Sequence, residues 1–286
     1  MPEIKLQSAA KINLHLSITG KRADGYHELL TLMCCVDIYD DLTLDLSARK
    51  TSVRCTHPDV PQDQTNLAYQ AAAQYYREIR LPMPTLSIDI IKRVPVGAGL
   101  GGGSGNAAAV LSGLNRFHGN RFSTSQLARI GRTLGADVPF MLYGKPAWAT
   151  GIGDHLEAVS NMKPFPVLLV YPAIMVSTAD VYRRVNFALT KPEQRNINTF
   201  FKDSAVAIES ILHNDLERVT CNCYPEIDAI KEQLMAFGAR GALMSGSGSA
   251  VFGIFRQAKV AENAMLKIKK NAKSKGWQVF SSRIIV

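Results

Sequence analysis

Residues 95–109 read Pro95-Val96-Gly97-Ala98-Gly99-Leu100-Gly101-Gly102-Gly103-Ser104-Gly105-Asn106-Ala107-Ala108-Ala109, with six glycines among the nine residues from Gly97 to Gly105. A β-rich apolar stretch precedes the run and a helix-prone stretch follows it. Glycines let successive N–H groups turn toward one anion with no side chain in the way, and the helix that follows adds the partial positive charge of its N-terminus. As a mere connection, the glycines would cost about 0.5–1 kcal/mol each relative to alanine. The run therefore reads as a backbone cradle for phosphate between a strand and a helix.

Two familiar cradles do not fit. Gly97-Ala-Gly99-Leu-Gly-Gly102 satisfies the dinucleotide pattern G-x-G-x-x-G, but the ribose-binding acid expected about 20 residues on is missing, since Asn115 to Thr124 contains no carboxylate. A P-loop needs Gly-Lys-Ser/Thr, and no such triplet follows.

Outward from the loop, alternation and helical periodicity predict strands at Val36–Leu46, Thr51–Cys55 and Leu86–Val94. Helices are expected at Asn66–Ile79, Ser104–Phe117 and Ser125–Leu134, and Gly135 to Phe140 reads as a break. Near the start, Ile12, Leu14, Leu16 and Ile18 alternate with Lys11, Asn13, His15 and Ser17, which predicts a strand with one buried face and places the polar four together on the other. Gly151, Gly153, Pro164 and Pro166 mark a turn-rich boundary, so two domains are expected, 1–155 and 156–286. Beyond it the pattern gives a strand at Val167–Tyr171, helices at Thr178–Val185, Ile197–Leu212 and Glu226–Phe237, strands at Gly241–Met244 and Ala250–Phe255, a lysine-rich helix, and a last strand at Gln278–Ile285. Helices between non-consecutive strands with hairpin-like neighbours point to an α+β class rather than an alternating parallel sheet.

With 286 residues, 47% hydrophobic and 20% charged, the chain has the composition of a globular protein and excludes disordered or fibrous classes. The opening Met-Pro-Glu-Ile-Lys-Leu-Gln has no signal-peptide pattern, and no run approaches the ~20 apolar residues of a membrane span, so a cytoplasmic protein without a membrane partner is expected. Cys34, Cys35, Cys55, Cys221 and Cys223 lack zinc-site spacing and are expected to be buried thiols. The net charge of +9 fits a polyanionic ligand. Much of the excess lies at Lys267, Lys269, Lys270, Lys273 and Lys275, with no aromatic residues between them, which reads as a solvated helix face rather than a nucleic-acid site.

The run Gly-Leu-Gly-Gly-Gly-Ser followed by Asn-Ala-Ala resembles the phosphate loop of the GHMP kinase superfamily. Ser245-Gly-Ser-Gly-Ser-Ala-Val-Phe252 resembles that family's C-terminal glycine motif, and Lys11 to Leu16 its substrate strand. Ala10 to Leu16, Ile18 to His27 and Leu134 to Pro139 together resemble the branch that phosphorylates the 2-hydroxyl of 4-diphosphocytidyl-2-C-methyl-D-erythritol in non-mevalonate isoprenoid biosynthesis. The resemblance implies a ribosomal-protein-like N-terminal domain, a ferredoxin-like C-terminal domain, ATP as co-substrate with Mg2+, and a small cytidine-diphosphate substrate in place of any nucleic acid. A basic RNA-binding protein is the alternative from another class. Gly105 departs from the branch, which usually has a second serine there, leaving Ser104 to supply one hydroxyl.

By the same resemblance Asp137 accepts the proton of the substrate hydroxyl; read without it, Asp137 is a turn or cap aspartate after Gly135. Lys11 is its expected partner, because a nearby ammonium favours the charged carboxylate. Asn13 would hydrogen-bond the substrate, with His15 packed beside it. Tyr26 and His27 offer a flat face and a polar ring edge suited to cytosine. Tyr182 is the candidate for the opposing platform or else a core tyrosine. Pro95 through Asn106 hold the triphosphate, and Asn66 and Lys92 fall on the adenine side, where they read equally as an N-cap and a plain strand lysine.

Overall fold

The computed structural model describes residues 3–185 and 208–286. The chain divides into two compact units: Met1–Ala10, Ile38–Val96 and Gly101–Gly144 form the first, and Lys11–Asp37, Gly97–Leu100 and Lys145–Val286 the second. Two 19-residue strands, β1 (Glu3–Lys21) and β2 (His27–Asp45), contribute residues to each.

In the first unit the strand order is β3-β4-β2-β1. β4 (Ser87–Ile91) runs antiparallel to β2, from Asp41↔Ile91 to Asp45↔Ser87, and parallel to β3 (Ser52–Cys55). Leu42, Leu44, Ile88 and Ile90 share one core with Ala68, Ala71, Ala72 and Tyr75 of α1 (Leu67–Glu78) and with Ala107, Val110, Leu111 and Leu114 of α2 (Gly102–Phe117). The small residues on α1 and α2 let side chains press close: a Cβ on Gly113 would lie 2.6 Å from a methyl of Leu6. A reciprocal capping box between Ser123 and Gln126 starts α3 (Thr124–Arg132).

The expected break after Gly135 is instead the start of α4 (Val138–Tyr143), with Pro139 in its first turn. Proline is tolerated there because the first turn's N–H groups have no helical partner to lose.

In the second unit β5 (Ala147–Thr150) pairs with β2 through Thr31, Leu32 and Met33, and β6 (His155–Ala158) pairs with β5. β7 (Pro166–Tyr171) lies in an antiparallel sheet ordered β11-β7-β10-β9, with β9 at Gly241–Met244, β10 at Val251–Ile254 and β11 at Gln278–Arg283. Its core joins Leu168, Val170, Met244 and Val251 to Ile227, Ile230 and Leu234 of α7 (Glu226–Ala236) and to Ala261, Ala264, Ile268 and Ala272 of α8 (Ala258–Lys275). Lys267, Lys269, Lys270, Lys273 and Lys275 of α8 face solvent, as the periodicity predicts.

α5 (Thr178–Arg184), β8 (His213–Asn214) and α6 (Glu217–Cys223) complete the described elements, β8 running parallel to β1 at His15↔His213. Most of the helix expected at Ile197–Leu212 lies outside the described residues; at its end a 3-10 turn spans Ile208–Ile211. Of the cysteines expected to be buried, Cys34 and Cys35 are, whereas Cys223 is exposed.

One expectation about β1 is corrected. Its alternation suggests one wet face, but every residue from Ala10 to Ser17 other than the apolar ones is also buried: Lys11 is 4% exposed, Asn13 3% and His15 1%. The strand is covered on both sides, and the polar side chains persist because they bond to one another.

Candidate active site

Within the glycine loop, Gly97, Gly99 and Gly101 take φ of 64°, 75° and 68°, alternate left-handed positions that would strain any other residue. The carbonyls of Gly97 to Leu100 are all committed. Gly97 O accepts from Val176 N–H (3.1 Å), Ala98 O from Ala250 N–H (3.1 Å), Gly99 O from Ser245 Oγ (3.0 Å) and Leu100 O from Lys11 N–H (2.9 Å). With the oxygens turned into protein, the amides are left as the polar groups of the loop. Gly99 has a second reason to be glycine, since a Cβ there would fall inside the carbonyl oxygen of Ser245.

The loop feeds α2, whose N-cap Gly101 makes no side-chain cap and whose first turn carries no acid. A helix start without a cap leaves its first N–H groups for a ligand, and the macrodipole favours an anion. Around this turn the first unit gathers several predicted residues. Asn66 caps α1 through Ala68 N–H (2.9 Å), and its neighbour Leu67 reaches to 3.3 Å from where a Cβ on Gly103 would be. Ser104 Oγ lies 3.6 Å from such a position on Gly135, two residues before Asp137, which is the N-cap of α4.

Lys92 is no plain strand lysine. Its side chain is 4% exposed, and Nζ donates to Asp40 Oδ2 (2.5 Å) and to Val94 O (2.9 Å). A Cβ on Gly102 would lie 2.7 Å from that ammonium. The departure at Gly105 also has a local cause: the space a side chain would take is filled by Ser8 Oγ, with Met141 Cε at 3.0 Å and Ala9 O at 3.1 Å.

Asp40 carries no motif that singles it out in the sequence. Its carboxylate is fully buried and accepts from Arg93 N–H (2.7 Å) and Val94 N–H (2.8 Å) as well as from Lys92. A signal is present all the same, because the period of two puts Asp40 in line with Ile38, Leu42, Leu44 and Leu46, a carboxylate among core positions.

In the second unit Lys11, Asn13 and His15 lie in a buried polar chain. Lys11 Nζ donates to Asn13 Oδ1 (2.6 Å), Asn13 Nδ2 to Thr31 Oγ1 (2.9 Å), and Thr31 Oγ1 to His15 O (2.6 Å). Gly246 of the Ser245–Ser249 loop lies close over this row, a Cβ there falling 3.2 Å from Lys11 Nζ and 3.3 Å from Asn13 Oδ1. Asn214 holds the loop in place by donating to Met244 O (2.9 Å) and Gly246 O (2.8 Å). Asn214 and Thr31 are further residues that sequence reasoning misses, being ordinary polar residues with no role marked by their spacing, whereas Ser245 opens the second glycine motif.

His27 stacks on Tyr182 at 5.2 Å between ring centroids and 23° between planes, while Tyr26 beside it is 59% exposed. Burial, and next the charge of Lys21, hold the His27 imidazole below its ordinary pKa of 6.5. A neutral ring offers one donor and one acceptor on its edge.

Comparison with known proteins identifies the family. Residues 66–145 match the family model described as GHMP kinases N terminal domain, and residues 199–274 the one described as GHMP kinases C terminal. The chain is 42% identical over 283 residues to the 4-diphosphocytidyl-2-C-methyl-D-erythritol kinase of Syntrophus aciditrophicus, covering 99% of each chain. To the protein of the same name from Syntrophotalea carbinolica it is 44% identical over 273 residues, 95% of each. Among solved structures, a 4-(cytidine 5'-diphospho)-2C-methyl-D-erythritol kinase superposes with a TM-score of 0.82 at 33% identity, over 98% of this chain and 99% of that one. A homoserine kinase from Cytophaga hutchinsonii shares the fold alone, with a TM-score of 0.74 at 19% identity over 100% of this chain and 95% of its own.

Proposed function

The chain belongs to the GHMP kinase family, and from that membership we propose that it transfers the γ-phosphoryl group of ATP to the 2-hydroxyl of 4-diphosphocytidyl-2-C-methyl-D-erythritol, giving ADP and the 2-phosphate. The observation that carries this reading is similarity over the whole chain, at 42% and 44% identity, to kinases bearing that substrate's name. As a member of the family it is an ATP-dependent small-molecule kinase, and its role in the isoprenoid route follows from the name its full-length relatives share.

Phosphoryl transfer asks a protein mainly to position the acceptor and to stabilise charge on the phosphoryl oxygens. In the proposed mechanism the amides of residues 97–104 hold the phosphates, aided by the uncapped start of α2. Asp137 accepts the proton of the acceptor hydroxyl, and Lys11 orients that hydroxyl. Asn13, bonded to Lys11, hydrogen-bonds the substrate. Tyr26, His27 and Tyr182 take the cytosine, with the His27–Tyr182 stack as its platform. Asn66 serves the adenine side; Lys92, expected there too, has its ammonium against Gly102 and is assigned to the phosphate turn instead, and Pro95 and Val96 lead into the phosphate loop.

The site's donors fit Mg2+ in one way. No cluster of three or more His, Cys, Asp or Glu suited to a metal occurs among the described residues, and Mg2+ ordinarily keeps waters and binds through nucleotide phosphates with one or two protein oxygens. The Ser104 hydroxyl, in the first turn of α2, would supply such an oxygen. The ion's contribution would be to neutralise phosphate charge. A cytoplasmic location is proposed together with the reaction, from the relatives' role as metabolic kinases; separately, no helix of the described residues is long and apolar enough to cross a membrane.

The test is coupled ADP release with this cytidine substrate against homoserine, galactose and mevalonate. Turnover with the cytidine compound alone is expected. Preference for any of the other three would move the chain to another branch of the family.

A further inference from the structure

The glycine loop presents a mechanical problem that its own residues do not solve. A segment with six glycines gains little conformational restraint from its sequence, yet phosphate binding through amides needs those amides fixed in advance. Something outside the loop must hold its two ends.

We propose that Asp40 is a positioning residue for the nucleotide, clamping the start of the glycine loop to the first turns of α2. The proposal rests on the reading of that turn as the phosphate site. Four donors converge on the one carboxylate. On the strand side, Oδ1 accepts from Arg93 N–H at 2.7 Å and Val94 N–H at 2.8 Å, the last amides before Pro95 opens the loop. On the helix side, Oδ2 accepts from Lys92 Nζ at 2.5 Å, and that ammonium sits under Gly102. The fourth donor is Asn106, whose carboxamide is oriented by its neighbours. Gly102 O and Asp40 Oδ2 only accept, so Nδ2 faces them at 3.2 and 3.1 Å, with Ser8 Oγ at 3.1 Å. The loop is thus tied at Val94 and again at Gly102 and Asn106 through one side chain.

The charges agree with this assignment. A buried ammonium against a helix N-terminus is unfavourable on its own, because the macrodipole is positive there. Nothing about the stability of α2 calls for it. A carboxylate behind the ammonium makes the arrangement tolerable in the free protein, and a polyanion arriving in front meets both the ammonium and the amides. Asp40, Lys92, Asn106 and Ser8 are buried, with side-chain or residue exposures of 0–4%, so none of this serves solubility.

The experiment is nucleotide affinity in variants that cut one side of the clamp. In Asp40→Asn the Oδ1 acceptor for Arg93 and Val94 is kept, while an amide donor replaces the acceptor facing Lys92 and Asn106. ADP affinity by calorimetry is expected to fall at least tenfold, and KM for ATP to rise in step. The kcat at saturating ATP and KM for the cytidine substrate should stay within about threefold. Asn106→Leu removes the other helix-side donor without burying an unpaired charge, and should move the same parameters by a smaller factor. In the double variant the losses should not multiply, since both variants release the same clamp. Folded Asp40→Asn that binds ADP as tightly as wild type, or tighter, overturns the proposal. If that variant does not fold, wild-type ADP affinity in Asn106→Leu overturns it. Equal losses in kcat and in affinity for both substrates would mark a general structural role and overturn it too. Failure of the underlying reading shows separately, as absence of ADP binding by the wild-type protein.

Discussion

The first turns of α2 and residues 11–17 of β1 hold their polar chemistry in opposite ways. At α2 side chains are withdrawn. Gly102 gives its place to the Lys92 ammonium, Gly103 to Leu67 and Gly105 to Ser8, and what is left facing outward is backbone. Along β1 the side chains stay and are buried, Lys11, Asn13 and His15 joined through Thr31 into one bonded row. A site made by removal depends on backbone geometry, whereas a site made of buried side chains depends on every partner being satisfied. The two should therefore fail differently when altered.

The largest effect is expected where chemistry rather than scaffold is touched. Asp137→Asn keeps the shape of the α4 N-cap and removes the proton acceptor, so turnover should fall by about 10²–10⁴-fold. ADP affinity should remain near wild type, because the amides of the α2 turn are unaltered. A variant that loses nucleotide affinity and turnover together would place Asp137 in the scaffold of α4.

How much of this contrast the sequence discloses follows from the same physics. Removal is legible: glycine is costly inside a helix start, so six of them in nine residues announce a cradle by composition and spacing alone. The elements around it are equally readable where periodicity is strong, as at α1, α2, β4 and α8. Burial of polar side chains is far less legible. Lys11, Asn13 and His15 alternate with apolar residues as they would on a wet face, and the loop that covers them at Gly246 is more than 200 residues away in the chain, by position 246 against 15. α4 is hidden because glycine and proline, which break helices internally, are compatible with a helix start. Asp40 stands between, its position in the apolar register readable but its partners distant in sequence, at Lys92, Arg93, Val94 and Asn106.

A pair of alanine substitutions sharpens the comparison inside the loop itself. Gly99 has φ of 75° and Ser245 O where a Cβ would go, and a backbone carbonyl cannot swing aside. Gly99→Ala should cost about 2–4 kcal/mol, from left-handed strain and overpacking together. Gly103 is helical and meets only the end of the Leu67 side chain at 3.3 Å. There the gain of about 0.5–1 kcal/mol from replacing a helical glycine offsets the crowding, and Gly103→Ala should leave stability within about 1 kcal/mol of wild type. Chemical denaturation of the two variants decides the matter; similar losses would mean that the cradle responds to bulk wherever it is placed.

The smallest effect concerns side chains that are only half-buried, at the His27–Tyr182 stack. If His27 meets cytosine as a neutral ring, the cytidine substrate binds best where the imidazole carries no proton. Burial and the Lys21 charge lower its pKa from the ordinary 6.5. The neutral form therefore persists on the acid side of 6.5, and affinity is lost only as pH falls through the lowered value. KM for the cytidine substrate should rise a few-fold over that interval while KM for ATP does not follow it. His27→Asn, which keeps a donor and an acceptor but cannot be protonated, should flatten the profile. A profile that keeps its acid limb in His27→Asn would assign the titration to another group and leave the stack as packing alone.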